Sequence, residues 1–354
     1  MKKFAVCSGF LGAGKTSTMM ALTQYYTARH GKAAMISNDL GGSGLADHRL
    51  AVLSGCNASE ITGECICFCH SVLSDRLQEY FADGCELVLS DIPGFGVGAL
   101  EHVYHGMEAD YPGQFSFAPF TVLIEPCNAS LLCTGQKSDM AHILDAQMME
   151  ADLIVLNKCD LLEAPEKEAL VSDLRGRYPQ AEVIAISALT GEGLEELSLA
   201  LKNGSASMQH PAIAYEDDGL QSEMCSLSEY YIQYHAEVCC DDFDGNEYLT
   251  ALARQVQGGI AEIGCEIPHM KLLAWSPDGD YGKADLLGVS RPIELPHRFS
   301  RPCIDIAVVL NANAACPHEE LDRIITTAVE EVSAAFQLEC MVFRRECFGM
   351  GEEE

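Results

Sequence analysis

The chain has 354 residues, and its 53 acidic against 22 basic side chains give a formal net charge of −31, so neither nucleic acid nor an anionic membrane is an expected partner. Its length predicts two domains. The 17 cysteines, an odd number in a chain much larger than a disulfide scaffold, favour a reducing cytoplasm in which thiols act as small buried groups or metal ligands. No run approaches the ~18 apolar residues of a membrane helix, and Lys2 and Lys3 lead into no signal-peptide cleavage pattern. We therefore expect a cytoplasmic protein.

A phosphate-binding loop opens the chain. Residues 3–8 predict a buried strand and residues 16–28 a helix, and residues 9–16 between them read Gly-Phe-Leu-Gly-Ala-Gly-Lys-Thr. The glycines let backbone N–H groups point at phosphate oxygens, while the lysine faces the β- and γ-phosphates and the threonine hydroxyl is a ligand for Mg²⁺. The candidate phosphate-binding residues are Gly9, Gly12, Ala13, Gly14, Lys15, Thr16 and Ser17.

A glycine-rich loop over residues 38–47 follows a second predicted strand at 33–37. It lies where phosphate-loop GTPases keep the segment that senses the γ-phosphate. Asp39 is a candidate for the metal-facing or water-positioning shell, and a solvated loop carboxylate is an equally good interpretation.

A cysteine-rich segment comes next, with residues 63–70 reading Gly-Glu-Cys-Ile-Cys-Phe-Cys-His. Thiolates bind Zn²⁺ and also suit Co²⁺, Ni²⁺ and Cu(I), and three protein ligands leave a position for Glu64, His70, a water or a recipient. The alternative is a set of packed cysteines on a buried segment. The candidate transition-metal ligands are Cys65, Cys67 and Cys69.

A second phosphate-sensing motif follows a predicted helix at 71–81 and a strand at 86–91. The residues Asp91-Ile92-Pro93-Gly94 form a D-x-x-G motif, in which Asp91 holds Mg²⁺ and the Gly94 N–H reaches the γ-phosphate. The candidate catalytic residues are Lys15, Thr16, Asp91 and Asp39, of which Thr16 and Asp91 are the candidate Mg²⁺ ligands.

A guanine-reading motif follows the strands predicted at 120–125 and 152–156, which flank a helix at 139–151. It reads Asn157-Lys158-Cys159-Asp160, and the Asp160 carboxylate accepts from guanine N1–H and the exocyclic amine, a donor pair that adenine lacks. After a further helix and a strand at 182–186, a backbone N–H in the next loop reaches guanine O6. The candidate base-binding residues are Asn157, Lys158, Asp160, Ser187, Ala188 and Leu189.

The alternation of strands and helices predicts an α/β fold with a three-layer, mostly parallel phosphate-loop GTPase sheet in residues 1–204. Residues 205–222 read as a linker, residues 223–345 as a smaller α/β domain, and residues 346–354 as a disordered tail. The second domain is predicted to contain strands at 229–237, 270–275, 283–289, 303–310 and 339–344 and helices at 246–264 and 319–336. In this domain, metal ligation by Cys239 and Cys240 is possible in principle, but thiols without a functional role are the preferred interpretation.

On these residues the first ~200 positions resemble the CobW, HypB and UreG family of metallochaperone GTPases. The resemblance rests on residues 9–16, on Asn38-Asp39 before a glycine-rich loop, and on residues 147–161. CobW-like members carry Cys-x-Cys-Cys between the two switch segments, whereas here the third cysteine is displaced by one residue, and Asp91 stands where the family usually has glutamate. The resemblance implies GTP and GDP as ligands, slow GTP hydrolysis, and delivery of a transition metal to a client metalloprotein or a corrinoid pathway. A nucleotide-dependent homodimer is consistent with it.

Two alternatives belong to other classes. One is a GTP-dependent switch that reactivates a corrinoid methyltransferase without carrying metal. The other is a phosphate-loop kinase that uses ATP, which the Asn-Lys-x-Asp motif at 157–160 contradicts.

Overall fold

The computed structural model describes residues 2–42, 46–135, 140–208, 218–238 and 241–350. The chain forms two compact units, Met1–Gln221 and Ser222–Glu354, which are treated separately below. Within the described ranges, no helix combines the length and the apolar character needed to cross a membrane.

The first unit is built on one seven-stranded sheet with the order β3-β2-β4-β1-β5-β6-β7, and every pair of neighbouring strands is parallel. Its strands are β1 (Lys3–Gly9), β2 (Ala33–Asp39), β3 (Ala58–Thr62), β4 (Leu87–Asp91), β5 (Thr121–Ile124), β6 (Leu153–Leu156) and β7 (Glu182–Ala185). Its helices are α1 (Lys15–Arg29), α2 (Ala46–Leu53), α3 (His70–Ala82), α4 (Gly106–Asp110), α5 (Pro126–Thr134), α6 (Ala141–Met149), α7 (Ala164–Arg177) and α8 (Leu194–Asn203), and α9 (Asp218–Cys225) crosses the unit boundary.

The sheet forms because its central strands are short, nearly continuous apolar runs. Strands β1, β4, β5 and β6 are buried along their whole length, as expected for parallel strands that are covered by helices on both faces. Helix α1 packs on one face and contributes Met19, Leu22 and Tyr26 to the core. The predicted three-layer parallel α/β fold is confirmed.

The second unit is a six-stranded antiparallel sheet with the order β11-β10-β9-β12-β8-β13, again in agreement with the predicted smaller α/β domain. Its strands are β8 (Ser228–Val238), β9 (Glu266–Trp275), β10 (Tyr281–Leu286), β11 (Glu294–His297), β12 (Asp305–Ala315) and β13 (Leu338–Gly349). The helices α10 (Gly245–Glu262) and α11 (His318–Ala335) place their apolar faces on one side of this sheet. The edge strand β13 exposes Met341, Val342 and Phe343, and its pairing with β8 shifts register between Val342 and Arg344.

Several elements differ from the sequence predictions. Helices α2 and α5 and strand β11 were not predicted, and neither was β3, an edge strand in which only Ile61 is fully buried and which therefore lacks an apolar run. Residues 346–349, assigned to the tail, are the last residues of β13, where pairing with β8 satisfies their backbone. Asp218 to Gln221 in the predicted linker begin α9. Residues 209–217, Asp139, Cys239 and Cys240 lie outside the described residues.

Candidate functional site

The candidate residues lie on the loops that follow the strands of the parallel sheet. The phosphate-binding loop follows β1, the glycine-rich loop follows the end of β2, and the cysteine segment follows β3. Asp91 is the last residue of β4 and the rest of the D-x-x-G motif follows it, while the two base-reading loops follow β6 and β7. Because all seven strands are parallel, these loops meet at one edge of the sheet, where α/β folds bind ligands.

The phosphate-binding loop has the backbone that its glycines allow. Gly9 and Gly14 have φ values of 131° and 88°, and a Cβ atom on Gly9 would lie 2.3 Å from the Leu123 carbonyl oxygen. Helix α1 begins at Lys15, so its N-terminal N–H groups face the loop. The Lys15 ammonium donates to the Gly9 carbonyl oxygen at 2.7 Å, and it lies 3.0 Å from the position that a Cβ atom on Gly94 would take. The phosphate loop and the D-x-x-G motif are therefore adjacent.

Asn157 joins the phosphate loop to both base-reading loops. Its side-chain amide donates to the Ala13 carbonyl oxygen at 2.9 Å, and its side-chain oxygen accepts from the Ala188 N–H at 3.1 Å. The Asp160 carboxylate accepts from the Ser187 hydroxyl at 2.6 Å. Lys158 has a positive φ of 61°, a conformation that few residues other than glycine adopt and that turns the chain between β6 and Asp160.

Leu189, in the same loop, is exposed over 82% of its surface, so its side chain contributes little to the packing. It is the loop backbone around Leu189 that lies beside Asn157 and Asp160, because the Thr190 N–H donates to the Ser187 hydroxyl. The predicted base-binding residues are thus brought together by hydrogen bonds among the three loops.

Oxygen donors suited to Mg²⁺ lie beside the phosphate loop. Thr16 and Asp91 are both buried polar residues, and Asp91 pairs in register with Cys7 of β1, the strand that leads into the loop. Burial raises the pKa of the Cys7 thiol to about 12, with the negative charge of Asp91 acting in the same direction and the positive charge of Lys15 against it. Since a hydroxyl and a carboxylate are hard oxygen ligands, the residues present fit Mg²⁺.

Gln147 of α6 and Glu150, the residue just after this helix, hold the segment that follows Asp91. The Gln147 side-chain amide donates to the carbonyl oxygens of Gly94 and Gly96 at 3.1 and 2.9 Å. Glu150, which is only 2% exposed, accepts from the backbone of Gly98 and Ala99. Neither residue was predicted from the sequence, where the available signal was a polar side chain on each side of the apolar pair Met148 and Met149.

The cysteine segment brings two of its three thiols together. The Cys65 and Cys67 sulfurs are 2.9 Å apart and both side chains are buried, whereas the Cys69 thiol donates to the Cys65 carbonyl oxygen at 3.4 Å. Within the described ranges, no group of three or more His, Cys, Asp or Glu side chains is arranged to hold a metal ion. The predicted three-thiol site is therefore not assembled in this conformation.

The thiols differ in how readily they lose a proton. The hydrogen bond between Cys65 and Cys67 lowers the pKa of Cys65, against burial and the nearby charges of Asp39 and Glu64, and it raises the pKa of Cys67. Burial raises the pKa of Cys69 to about 11. The shared hydrogen bond thus favours deprotonation of Cys65, and Asp39, expected near Mg²⁺ or the attacking water, has a carboxylate close enough to affect this thiol.

The His70 side chain is hydrogen-bonded outside the cysteine segment. Its Nδ1 lies 2.7 Å from the Asp110 carboxylate, and its Nε2 donates to the His102 carbonyl oxygen, also at 2.7 Å. Both ring nitrogens are therefore occupied, and His70 does not supply the fourth ligand that the sequence left open for it. Phe68, between the second and third thiols, is 69% exposed and its ring lies 5.8 Å from the His102 ring. His102 belongs to a π-helical turn, Leu100–His105, that follows the D-x-x-G segment.

Comparison with known proteins matches residues 3–185 to the nucleotide-binding domain described as CobW/HypB/UreG. Curated relatives include the mitochondrial ribosome-associated GTPase 2 of Homo sapiens and of Pongo abelii, 36% and 35% identical over 123 residues; that match covers 33% of this chain and 28% of either relative.

Similar solved structures include HypB from Helicobacter pylori in complex with nickel, with a TM-score of 0.42 and 16% identity over 58% of this chain and 90% of that one. Another is the Zn(II)-bound YjiA GTPase from E. coli, with a TM-score of 0.38 and 15% identity over 92% of this chain and 98% of that one.

The buried carboxyl group of Glu150 predicts a specific pH dependence. Burial raises its pKa from 4.5 to about 8, so the folded chain holds a proton there that the unfolded chain has lost, and the stability contribution of the neutral group declines as pH rises from about 4.5 to about 8. Glu150→Gln should therefore gain free energy of unfolding, relative to wild type, between about pH 5 and about pH 9. Denaturant unfolding at both pH values measures this, with the exposed Glu168→Gln as control. An equal difference at both pH values would contradict the assignment.

Proposed function

The chain belongs to the CobW/HypB/UreG family of nucleotide-binding proteins, and from this premise we propose that it is a GTP-hydrolysing metallochaperone that loads and releases a transition metal under nucleotide control. One observation carries the proposal: the cysteine segment is hydrogen-bonded at its start to the glycine-rich loop and β2, and at its end to the turn that follows the D-x-x-G motif. At its start, Gly63 and Glu64 are bonded to residues of the glycine-rich loop and β2. At its end, His70 is bonded to the turn that follows Asp91-Ile92-Pro93-Gly94.

We assign the nucleotide site to the loops after β1, β4, β6 and β7. Residues 9–17 cradle the phosphates, and Asp160 reads the guanine base with Lys158 and the backbone of residues 187–189. Asn157 keeps the phosphate and base subsites in register through its bonds to Ala13 and Ala188.

For hydrolysis, Lys15 stabilises negative charge on the transferring phosphoryl group, and the Gly94 N–H senses the γ-phosphate. Thr16 and Asp91 would hold Mg²⁺, which neutralises phosphate charge when it is bound. Gln147 and Glu150 orient the Gly94 segment and so set where that N–H points.

The transported metal is Zn²⁺, Co²⁺ or Ni²⁺, the borderline ions that thiolates accept. Cys65 and Cys67 are the preformed part of the site, and Cys69 completes it by giving up its bond to the Cys65 carbonyl oxygen. The negative charges of Asp39 and Glu64 act to raise the pKa of Cys65, so both carboxylates belong to the electrostatic surroundings of this thiol. The recipient is a client metalloprotein or a corrinoid enzyme in the cytoplasm, a location supported by the free thiol state of all described cysteines.

Guanine specificity is the first expectation. Asp160 presents paired acceptors that adenine cannot satisfy, so GTP should bind roughly 100-fold or more tightly than ATP. Asp160→Asn should weaken GTP and improve xanthosine triphosphate, and its amide oxygen can still accept from the Ser187 hydroxyl. Calorimetry on both nucleotides measures this, with the exposed Asp173→Asn as control. Comparable affinities of wild type for ATP and GTP would refute the base assignment.

The second expectation concerns the phosphate loop and GTP hydrolysis. Lys15→Ala should abolish GTP hydrolysis, because its ammonium is the fixed positive charge of the loop, and Asp91→Asn should mainly raise the Mg²⁺ concentration needed. Phosphate release at saturating GTP, titrated with Mg²⁺, measures both. Lys32→Ala, which removes an exposed lysine paired with Asp83, is the control. Hydrolysis by Lys15→Ala at the wild-type rate would show that the site is elsewhere.

Nucleotide control of metal binding is the third expectation. The metal dissociation constant should differ at least about five-fold between GDP and a non-hydrolysable GTP analogue, because the cysteine segment is bonded to the glycine-rich loop and to the turn that follows the D-x-x-G motif. Cys65→Ser/Cys67→Ser should remove the difference without changing GDP affinity, whereas Cys127→Ser/Cys133→Ser should retain it. Competition with a chromophoric chelator at matched free Mg²⁺ measures the constants.

Equal metal affinities in the two nucleotide states would favour the other candidate, a GTP-dependent switch that reactivates a corrinoid methyltransferase without carrying metal. The observation that supports this candidate is the incomplete convergence of the three thiols.

A further inference from the structure

Asn38 occupies the junction between the candidate Mg²⁺ carboxylate and the cysteine segment. It lies near the end of β2, which pairs with β3 on one side and β4 on the other, and it is only 3% exposed. Its neighbours in space are therefore the ends of the strands that lead into the cysteine segment and into Asp91.

The backbone of Asn38 is bonded to one side of this junction. Its N–H donates to the Asp91 carboxylate at 2.7 Å. Asp91 ends β4, and in the proposed function it is a Mg²⁺ ligand. If this carboxylate changes orientation between nucleotide states, its bond to the Asn38 N–H must lengthen or bend, or the Asn38 backbone must move with it.

The side chain of Asn38 is bonded to the other side. Its Nδ2 donates to the carbonyl oxygens of Ile61 and Glu64 at 3.0 and 2.9 Å, and its Oδ1 accepts from the Ile66 N–H at 3.0 Å. Both amide hydrogens and one oxygen lone pair are thus used on the end of β3 and the first turn of the cysteine segment. Ile66 lies between Cys65 and Cys67, so the bond to its N–H acts directly on the spacing of the paired thiols.

The chemistry requires an amide at this position. A carboxylate of the same shape would present oxygen to the Ile61 and Glu64 carbonyl oxygens and lose both donated bonds, while keeping the backbone bond to Asp91. A second described bond between these segments, from the Gly63 N–H to the Gly41 carbonyl oxygen, joins backbone to backbone and does not involve Asp91.

Resting on the proposed function, we propose that Asn38 is the positioning residue that transmits the nucleotide state from Asp91 to the Cys65–Cys67 pair. It holds Asp91 through its backbone and the thiol-bearing turn through its side chain, so movement of one displaces the other. The inference extends the proposed function by assigning the coupling to one side chain.

The test uses the full chain with Zn²⁺ as the probe metal, in GDP and in a non-hydrolysable GTP analogue. Asn38→Asp should reduce the ratio of the two Zn²⁺ dissociation constants from at least about five-fold in wild type to less than about two-fold. Asn38→Ala is a second variant that removes the side-chain bonds without adding charge. Asn57→Asp, at an exposed position just before β3, controls for a negative charge added beside the strand that pairs with β2.

A merely structural role would weaken Zn²⁺ by the same factor in both states and leave the ratio intact, and that outcome overturns the inference while sparing the proposed function. Equal constants in wild type overturn the proposed function instead. In that case, hydrogen exchange of the Ile66 amide in metal-free protein still tests whether Asn38 connects Asp91 to the cysteine segment. Exchange that depends on the nucleotide in wild type but not in Asn38→Ala supports the tie, and exchange that is independent of the nucleotide in wild type overturns it.

Discussion

Parallel pairing of β2 with β3 and β4 is the constraint on which the site depends. Parallel strands end at the same edge, so the glycine-rich loop, the cysteine segment and Asp91 are neighbours although they are separated by up to 53 positions in the sequence. The same rule places the phosphate loop and both base-reading loops beside them. Helices cover both faces of such a sheet, and this keeps the loop-bearing edge as the place where polar side chains converge. Buried amides at that edge then determine how the loops are connected, with Asn157 on one side of β1 and Asn38 on the other.

Much of this arrangement could be read from the sequence, because short motifs encode local geometry. Glycine at 9, 12 and 14 and the Asn157–Asp160 motif identify loops whose backbone is set within a few residues, and apolar runs identify the central strands. Edge elements were harder: β3 reads Ala-Ser-Glu-Ile-Thr, in which only Ile61 is fully buried, and it lacks an apolar run. The bonds made by Asn38, Gln147 and Glu150 depend on partners 23 to 53 positions away, which no local pattern specifies. The Cys69 thiol, by contrast, is held by a local bond to the Cys65 carbonyl oxygen that the spacing of the cysteines does not specify.

The paired thiols and the buried carboxyl group show how a shared hydrogen bond and desolvation change the pKa values of otherwise similar groups. Cys65 and Cys67 share a hydrogen bond, so the first thiolate is stabilised by its neighbour and the second is opposed by it. Glu150 stays neutral to a higher pH than a surface glutamate because it is buried beneath the segment that it orients. Once Glu150 ionises, its negative charge also opposes ionisation of Cys67, so the support of the segment after Asp91 and the thiol pair share one electrostatic environment.

The edge strand β13 has a consequence for how the protein behaves at high concentration. An unpaired strand edge with exposed Met341, Val342 and Phe343 is a template for intermolecular strand addition. The register shift after Val342 interrupts the ladder, and the ion pair between Arg344 and Glu346 places charge just beyond it. Long-range repulsion from a net charge of −31 adds a further barrier to association, and because this barrier is electrostatic, ionic strength reduces it. Resistance of this chain to self-association thus depends on two features, the register shift within β13 and a net negative charge whose repulsion is screened by salt.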